Sequence, residues 1–214
     1  MSEYLLSTSG LTKQFGHHKA VNNVDLHVKK GAIYGFIGRN GAGKTTFLKM
    51  ISGLSKPTDG EIQMFGYRNE ELKNVRSRIS GLIEAPGIYG NMSAYHNLAI
   101  KCRLFGINAS KYIENILKIV GLSEVGKKKT KHFSLGMKQR LGIGLALVGE
   151  PDLLVLDEPI NGLDPQGIAE IRDMLLRLKE EQNMTIIISS HILEELSKIA
   201  THYGIIHNGS LIQE

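Results

Sequence analysis

The chain has 214 residues, with 26 Lys and Arg against 21 Asp and Glu (formal net charge +5) and a single cysteine, Cys102. A chain of this length buries roughly 70% of its unfolded surface in one core, so it needs no staples, and one cysteine excludes an intramolecular disulfide framework. The longest apolar stretches, 141–148 and 185–188, are far too short for a membrane helix, and the N-terminus has no basic segment followed by a long apolar core, so a soluble, cytoplasmic protein is expected.

In chain order, the first thirty residues alternate apolar and polar side chains (Val24-Asp25-Leu26-His27-Val28), which predicts antiparallel strands with turns at Gly16 and at Asn22-Asn23. Ile33-Tyr34-Gly35-Phe36-Ile37 predicts a buried strand, and Thr46-Phe47-Leu48-Lys49-Met50-Ile51 predicts a helix. Between them lies Gly38-Arg39-Asn40-Gly41-Ala42-Gly43-Lys44-Thr45, a phosphate-cradling loop in its required setting of strand, loop and helix. Its glycines let successive backbone N–H groups converge on phosphate oxygens, and the helix N-terminus adds partial positive charge there. Lys44 can reach the terminal phosphates, and the hydroxyl of Thr45, with Thr46 beside it, is placed for the Mg²⁺ that accompanies them. The chain is expected to bind a nucleoside triphosphate.

Residues 59–66 read as a hairpin strand, and Ile79 to Glu84 as a short strand ended by Ala85-Pro86-Gly87. From Ser93 to about Val120 the apolar period becomes helical, through Leu98, Cys102, Phe105, Ile113, Ile116 and Leu117, which predicts a helical insertion. Lys127-Lys128-Lys129 and Lys131 form a basic cluster without interleaved aromatics, a solvated loop rather than a nucleic-acid surface. Two further apolar strands, around Leu153–Leu156 and Thr185–Ile188, flank a helix predicted from Gly167 to Gln182, and this succession implies a parallel sheet. Asn208-Gly209 signals a closing hairpin.

Asp157 and Glu158 end the first of these strands, at the edge where parallel sheets gather their ligands. Asp157 suits Mg²⁺, held through a water, and Glu158 suits a general base on the attacking water. His191, beyond the neighbouring strand, is placed to donate to the γ-phosphate.

With these residues in place, the chain resembles the ATP-binding subunit of an ABC transporter over essentially its whole length. Phe133-Ser134-Leu135-Gly136-Met137-Lys138-Gln139-Arg140 resembles the family signature, Asn161-Gly162-Leu163-Asp164 resembles the loop after the catalytic acid, and Phe15 stands where the family keeps an adenine-stacking aromatic. The resemblance implies an α/β P-loop cassette: a mostly parallel core sheet, an N-terminal antiparallel β subdomain and a helical insertion at about 85–131, all one domain spanning 1–214. It also implies a head-to-tail dimer of two copies, with each ATP between one phosphate loop and Ser134 and Gly136 of the other copy. A permease in the membrane would hold the chain on the inner face of the cell membrane, through the insertion and with Tyr89 and Tyr95 as docking candidates; nucleic acid is not an expected partner. Leu135 and Met137 depart from the usual signature. So does Glu84, which stands where the family usually has a glutamine; glutamate is acceptor-only and charged, so a tighter hold on Mg²⁺ is expected. Together with Glu158-Pro159-Ile160-Asn161, this spelling resembles bacterial exporters that give lantibiotic immunity or bacitracin resistance. The alternatives are export of another substrate and a soluble ABC ATPase acting on nucleic acid or the ribosome; a GTP switch lacks its guanine-reading segment here.

Overall fold

The computed structural model describes residues 3–108 and 110–214. Met1 and Ser2, part of the N-terminal stretch read above, lie outside the described residues.

The strands form two sheets. β1 (Tyr4–Phe15), β2 (His18–Lys29), β4 (Asp59–Met64) and β5 (Tyr67–Arg68) make an antiparallel sheet in the order β2-β1-β4-β5. The second sheet runs β10 (Ser210–Gln213), β9 (His202–His207), β3 (Ile33–Ile37), β8 (Thr185–Ser190), β7 (Leu153–Asp157) and β6 (Ile79–Leu82). Its pairs are parallel from β9 to β6, and only the β9–β10 hairpin is antiparallel. Every residue of β3, β7 and β8 is buried, which is why these strands read as unbroken apolar runs: both faces of a parallel sheet are covered.

The period of two along those strands sorts their side chains into two cores. Tyr34, Phe36, Leu153, Val155 and Ile187 join the antiparallel sheet and helix α1 (Lys44–Ile51), where Phe36 and Phe47 stack with centroids 4.8 Å apart. Ile33, Ile37, Leu154, Leu156, Ile186 and Ile188 face the other way. They pack under α2 (Ala94–Leu104), α3 (Ser110–Ile119), α4 (Leu135–Leu147), α5 (Pro165–Gln182) and α6 (Leu193–Ser197). The helix starts are capped as their sequences require: Ser93 accepts from the His96 N–H, Ser134 from Met137 and Asp164 from Gly167, and Pro165 occupies the first turn of α5.

Several boundaries move, and one turn is overturned. The strand expected to reach Glu84 ends at Leu82, and α5 begins at Pro165 rather than Gly167. The turn expected at Asn22-Asn23 lies inside β2, where the pairing with β1 shifts register and Asn23 takes a left-handed φ of 51°. Asparagine tolerates that conformation, so its turn chemistry produces a bulge instead of a reversal. The Asn22 N–H then donates to the Gly209 carbonyl, tying β2 to the β9–β10 hairpin. The turn at Gly16 forms as expected. The closing hairpin signalled at Asn208-Gly209 forms between β9 and β10, while the 3₁₀ segment Asn69–Arg78 has no counterpart in the sequence reading.

Register matters most at one edge. Ile37 pairs with Ser190, and Asp157 with Ser189, so the carboxyl ends of β3, β7 and β8 stand level. Gly38, Glu158 and His191 each follow one of those ends directly.

Candidate nucleotide site

The phosphate loop is shaped by what a side chain would strike. Gly43 caps α1 with φ 107°, and a Cβ there would lie 2.3 Å from the Ala20 carbonyl oxygen. A Cβ on Gly38 would meet the Ile206 carbonyl at 2.6 Å. The turn between β9 and β10 supports the loop from behind, the Gly209 N–H donating to the Ala42 carbonyl.

Lys44 is buried, and its Nζ donates to the carbonyls of Gly38 at 2.6 Å and Arg39 at 3.2 Å. It also pairs with Glu158 Oε1 at 3.1 Å, an ion pair without hydrogen-bond alignment. The Thr45 hydroxyl donates to Asp157 Oδ2 at 2.6 Å. Ser189 donates to Asp157 Oδ1 at 2.6 Å and accepts the Glu158 N–H at 2.9 Å. Consecutive strand residues would point apart, yet both acids reach the loop because Glu158 leaves the strand with a left-handed φ of 49°. His191 Nδ1 lies 2.9 Å from Glu158 Oε2; an ionised carboxylate only accepts, so Nδ1 carries the proton of that bond.

One cleft of about 280 Å³ is lined by His18, Ala20, Asn40, Gly41, Gly43, Lys44, Thr45, Thr46 and Glu158. Asp157 and His191 do not line it themselves but are bonded to residues that do, Asp157 to Thr45 and His191 to Glu158. Phe15 stands at the end of β1, opposite His18, exposed and with Lys13 Nζ 5.1 Å from its ring centre. Ser134 and Gly136 are not among the residues lining this cleft; they sit at the start of α4, with the exposed Leu135 between them. Glu84 also stands apart, its carboxylate 2.5 Å from Lys49 Nζ and its φ at 66°. The sequence reading missed His18, Ala20 and Ser189. For Ser189 a signal existed, because Ser189-Ser190-His191 is an abrupt polar run at the end of an apolar strand.

A glycine-lined loop at a helix start, a buried lysine, a hydroxyl–carboxylate pair and a glutamate beside a histidine define a P-loop nucleoside-triphosphate hydrolase. The family model described as ABC transporter matches residues 21–161. Over 213 residues the chain is 49% identical to the bacitracin transport ATP-binding protein BcrA of Bacillus licheniformis, covering 98% of this chain and 69% of that one. It is 43% identical to the lantibiotic transport ATP-binding protein SrtF of Streptococcus pyogenes, covering 98% and 90%. Among solved structures, a nucleotide-free ATP-binding cassette from an ABC transporter superposes with a TM-score of 0.86 at 27% identity, covering 98% of this chain and 90% of that one. CbiO1 of Clostridium perfringens, part of the cbiONQ transporter complex, gives 0.87 at 27% identity, covering 99% and 88%. The chain belongs to the ABC transporter ATP-binding family. Its activity is ATP hydrolysis, and its fold is the α/β cassette expected from the sequence. No helix among the described residues is long and apolar enough to cross a membrane.

Proposed function

We propose that this chain, as one cassette domain, powers export of a bacitracin- or lantibiotic-like peptide through a separate membrane permease on the cytoplasmic side. The observation that carries the substrate class is the near-full-length likeness to two transport proteins named for such peptides. The groove of about 350 Å³ between β6, α2 and α4, edged by Tyr89, Leu104 and Leu145, supports docking of a permease segment there. Tyr95 is half-buried against the helical core, so Tyr89 is the better candidate of the two.

The residue roles follow from charge. Lys44 is paired with Glu158. A γ-phosphate arriving at the loop gives Lys44 a stronger anionic partner, and the Glu158 carboxylate is then free to take a proton from water. His191 holds the other carboxylate oxygen of Glu158 and so fixes its orientation, while staying beside the position of the γ-phosphate. The donors near Thr45 and Asp157 are oxygens, which suits Mg²⁺, a hard cation that keeps water and phosphate ligands. That ion would be held by Thr45 and Asp157, with Glu84 contributing once it leaves Lys49, and would neutralise phosphate charge. Ser134 is exposed and Gly136 half-buried at a helix start, where a hydroxyl and a bare backbone N–H can serve the ATP of a second copy.

The test is in cells sensitive to such peptides, expressing this chain with its permease. Bacitracin or lantibiotic tolerance should rise several-fold and return to baseline with Lys44→Ala. Unchanged tolerance to both peptide classes, with ATP hydrolysis intact, would refute the assigned substrate class.

A further inference from the structure

Charge is divided unevenly along the chain. Between Glu84 and Glu150 stand ten Lys and Arg with only two acids, Glu114 and Glu124, whereas the rest of the chain carries 16 basic against 19 acidic residues. The inserted, mainly helical part is therefore strongly cationic on a slightly anionic remainder, an asymmetry that marks partners with negative surfaces. Among the described residues, the one ion pair this part makes joins Arg140 to Glu170, so most of its charge is uncompensated.

Four of these charges are fixed on one face beside apolar side chains. The run holding Lys127, Lys128, Lys129 and Lys131 is laid against the loop before α2. The Thr130 N–H donates to the Met92 carbonyl and the Lys131 N–H to the Gly90 carbonyl, both at 2.9 Å. The Thr130 hydroxyl donates to the Tyr89 carbonyl at 3.0 Å, and Ser93 and Lys129 form a β-bridge. Thr130 is fully buried in this junction, so the run is pinned to the loop. All four lysines are exposed, as are Tyr89 and Met92. Lysines pinned beside an exposed tyrosine and methionine supply both parts of interfacial binding. The ammonium groups suit phosphate-bearing headgroups, and the ring and thioether chain suit the boundary beneath them. Single-stranded nucleic acid is held by rows of stacking rings, a use that methionine does not serve.

We propose that this face, Tyr89 and Met92 with Lys127, Lys128, Lys129 and Lys131, binds the surface of an anionic lipid bilayer directly. It adjoins, at Tyr89, the groove assigned above to the permease, so a docked chain turns both toward one leaflet. Each lysine near such a surface strengthens binding about fivefold, and the attraction is screened beyond about 10 Å at 0.1 M salt.

The experiment measures cosedimentation of the purified chain with vesicles of phosphatidylcholine, alone or with a third of it replaced by phosphatidylglycerol. Binding should require the anionic lipid and be released by high salt. Replacing Lys127, Lys129 and Lys131 together by Gln should weaken it by about 20- to 100-fold. Lys128 is left in place because its Nζ lies over the Phe133 ring. The control replaces Lys30, Lys56 and Lys73, also exposed, by Gln; it removes the same charge from elsewhere and should cost less than about threefold. The chain has no tryptophan, so Met92→Trp installs a single reporter, whose emission should shift to the blue with anionic vesicles and stay unchanged with neutral ones. Equal losses from the two triple variants would reduce the effect to net charge and overturn the proposal. Absence of binding to anionic vesicles, or binding without a shift at residue 92, would overturn it as well. Binding to mixed-sequence RNA with the same lysine dependence, and none to vesicles, would assign the face to nucleic acid instead. The vesicles contain no permease, so none of these failures touches the docking groove or the peptide class, which the tolerance assay decides.

Discussion

Ser189→Ala tests how the carboxylate of Asp157 and the backbone of Glu158 are held. Ser189 is fully buried, with its hydroxyl donating to Asp157 Oδ1 and accepting the Glu158 N–H. Alanine removes a hydrogen bond to a charged group, worth about 1.5–3 kcal/mol, and leaves a backbone donor without its partner, a further cost of about 1–3 kcal/mol. Because the orphaned groups relax together, the two do not add fully, and a loss of about 2–4 kcal/mol is expected. Ser190 supplies the control. It is equally buried on the same strand, but its hydroxyl accepts only the Ile192 N–H, so Ser190→Ala should cost about 1 kcal/mol. In urea unfolding followed by circular dichroism, Ser189→Ala should lower the midpoint by roughly 1–3 M, and Ser190→Ala by well under half as much. Hydrolysis should fall with the first variant and persist with the second. Equal costs for the two serines would refute the reasoning, because the additional bond to the Asp157 carboxylate is the main difference between them.

Gly43→Ala combines a left-handed φ with a Cβ 2.3 Å from the Ala20 oxygen, so fluorescent-ATP binding should weaken more than tenfold, with a stability loss of about 1–3 kcal/mol. Asp164→Ala removes the cap on the Gly167 N–H and should cost about 1 kcal/mol in urea while nucleotide affinity stays unchanged. Cys102 is 1% exposed and burial raises its thiol pKa, so a thiol-specific reagent at mildly alkaline pH should modify it at least tenfold faster in urea than in the native chain.

Much of this architecture could be read from the sequence because its signals were local. β3, β7 and β8 are covered on both faces, so their apolar runs are continuous, and the phosphate loop is a contiguous spelling. What escaped depends on contacts distant in the chain. β9 was legible only through its hairpin turn, because His202-Tyr203-Gly204 breaks its apolar pattern; Gly204 is required where the Tyr34 hydroxyl approaches, a Cβ there standing 2.3 Å away. The segment Asn69–Arg78 is mostly polar and carries only Leu72 and Val75 into the core, too few to show a period. The bulge at Asn23 used turn chemistry without a turn. In the site, Asp157 and Glu158 were legible as a pair, but the serine that clamps them lies 32 residues from Asp157, and nothing near Glu84 announces Lys49.

The central claim is that Glu158 activates water for ATP hydrolysis in a site completed by a second copy. The most direct measurement is the ATPase rate of the purified wild-type chain and of Glu158→Gln, each recorded against protein concentration with nucleotide binding measured in parallel. The wild-type rate should rise faster than linearly, and the variant should bind ATP yet hydrolyse it about 10²–10⁴-fold more slowly. Wild-type turnover by Glu158→Gln, or a rate strictly proportional to concentration across the range, would contradict the account.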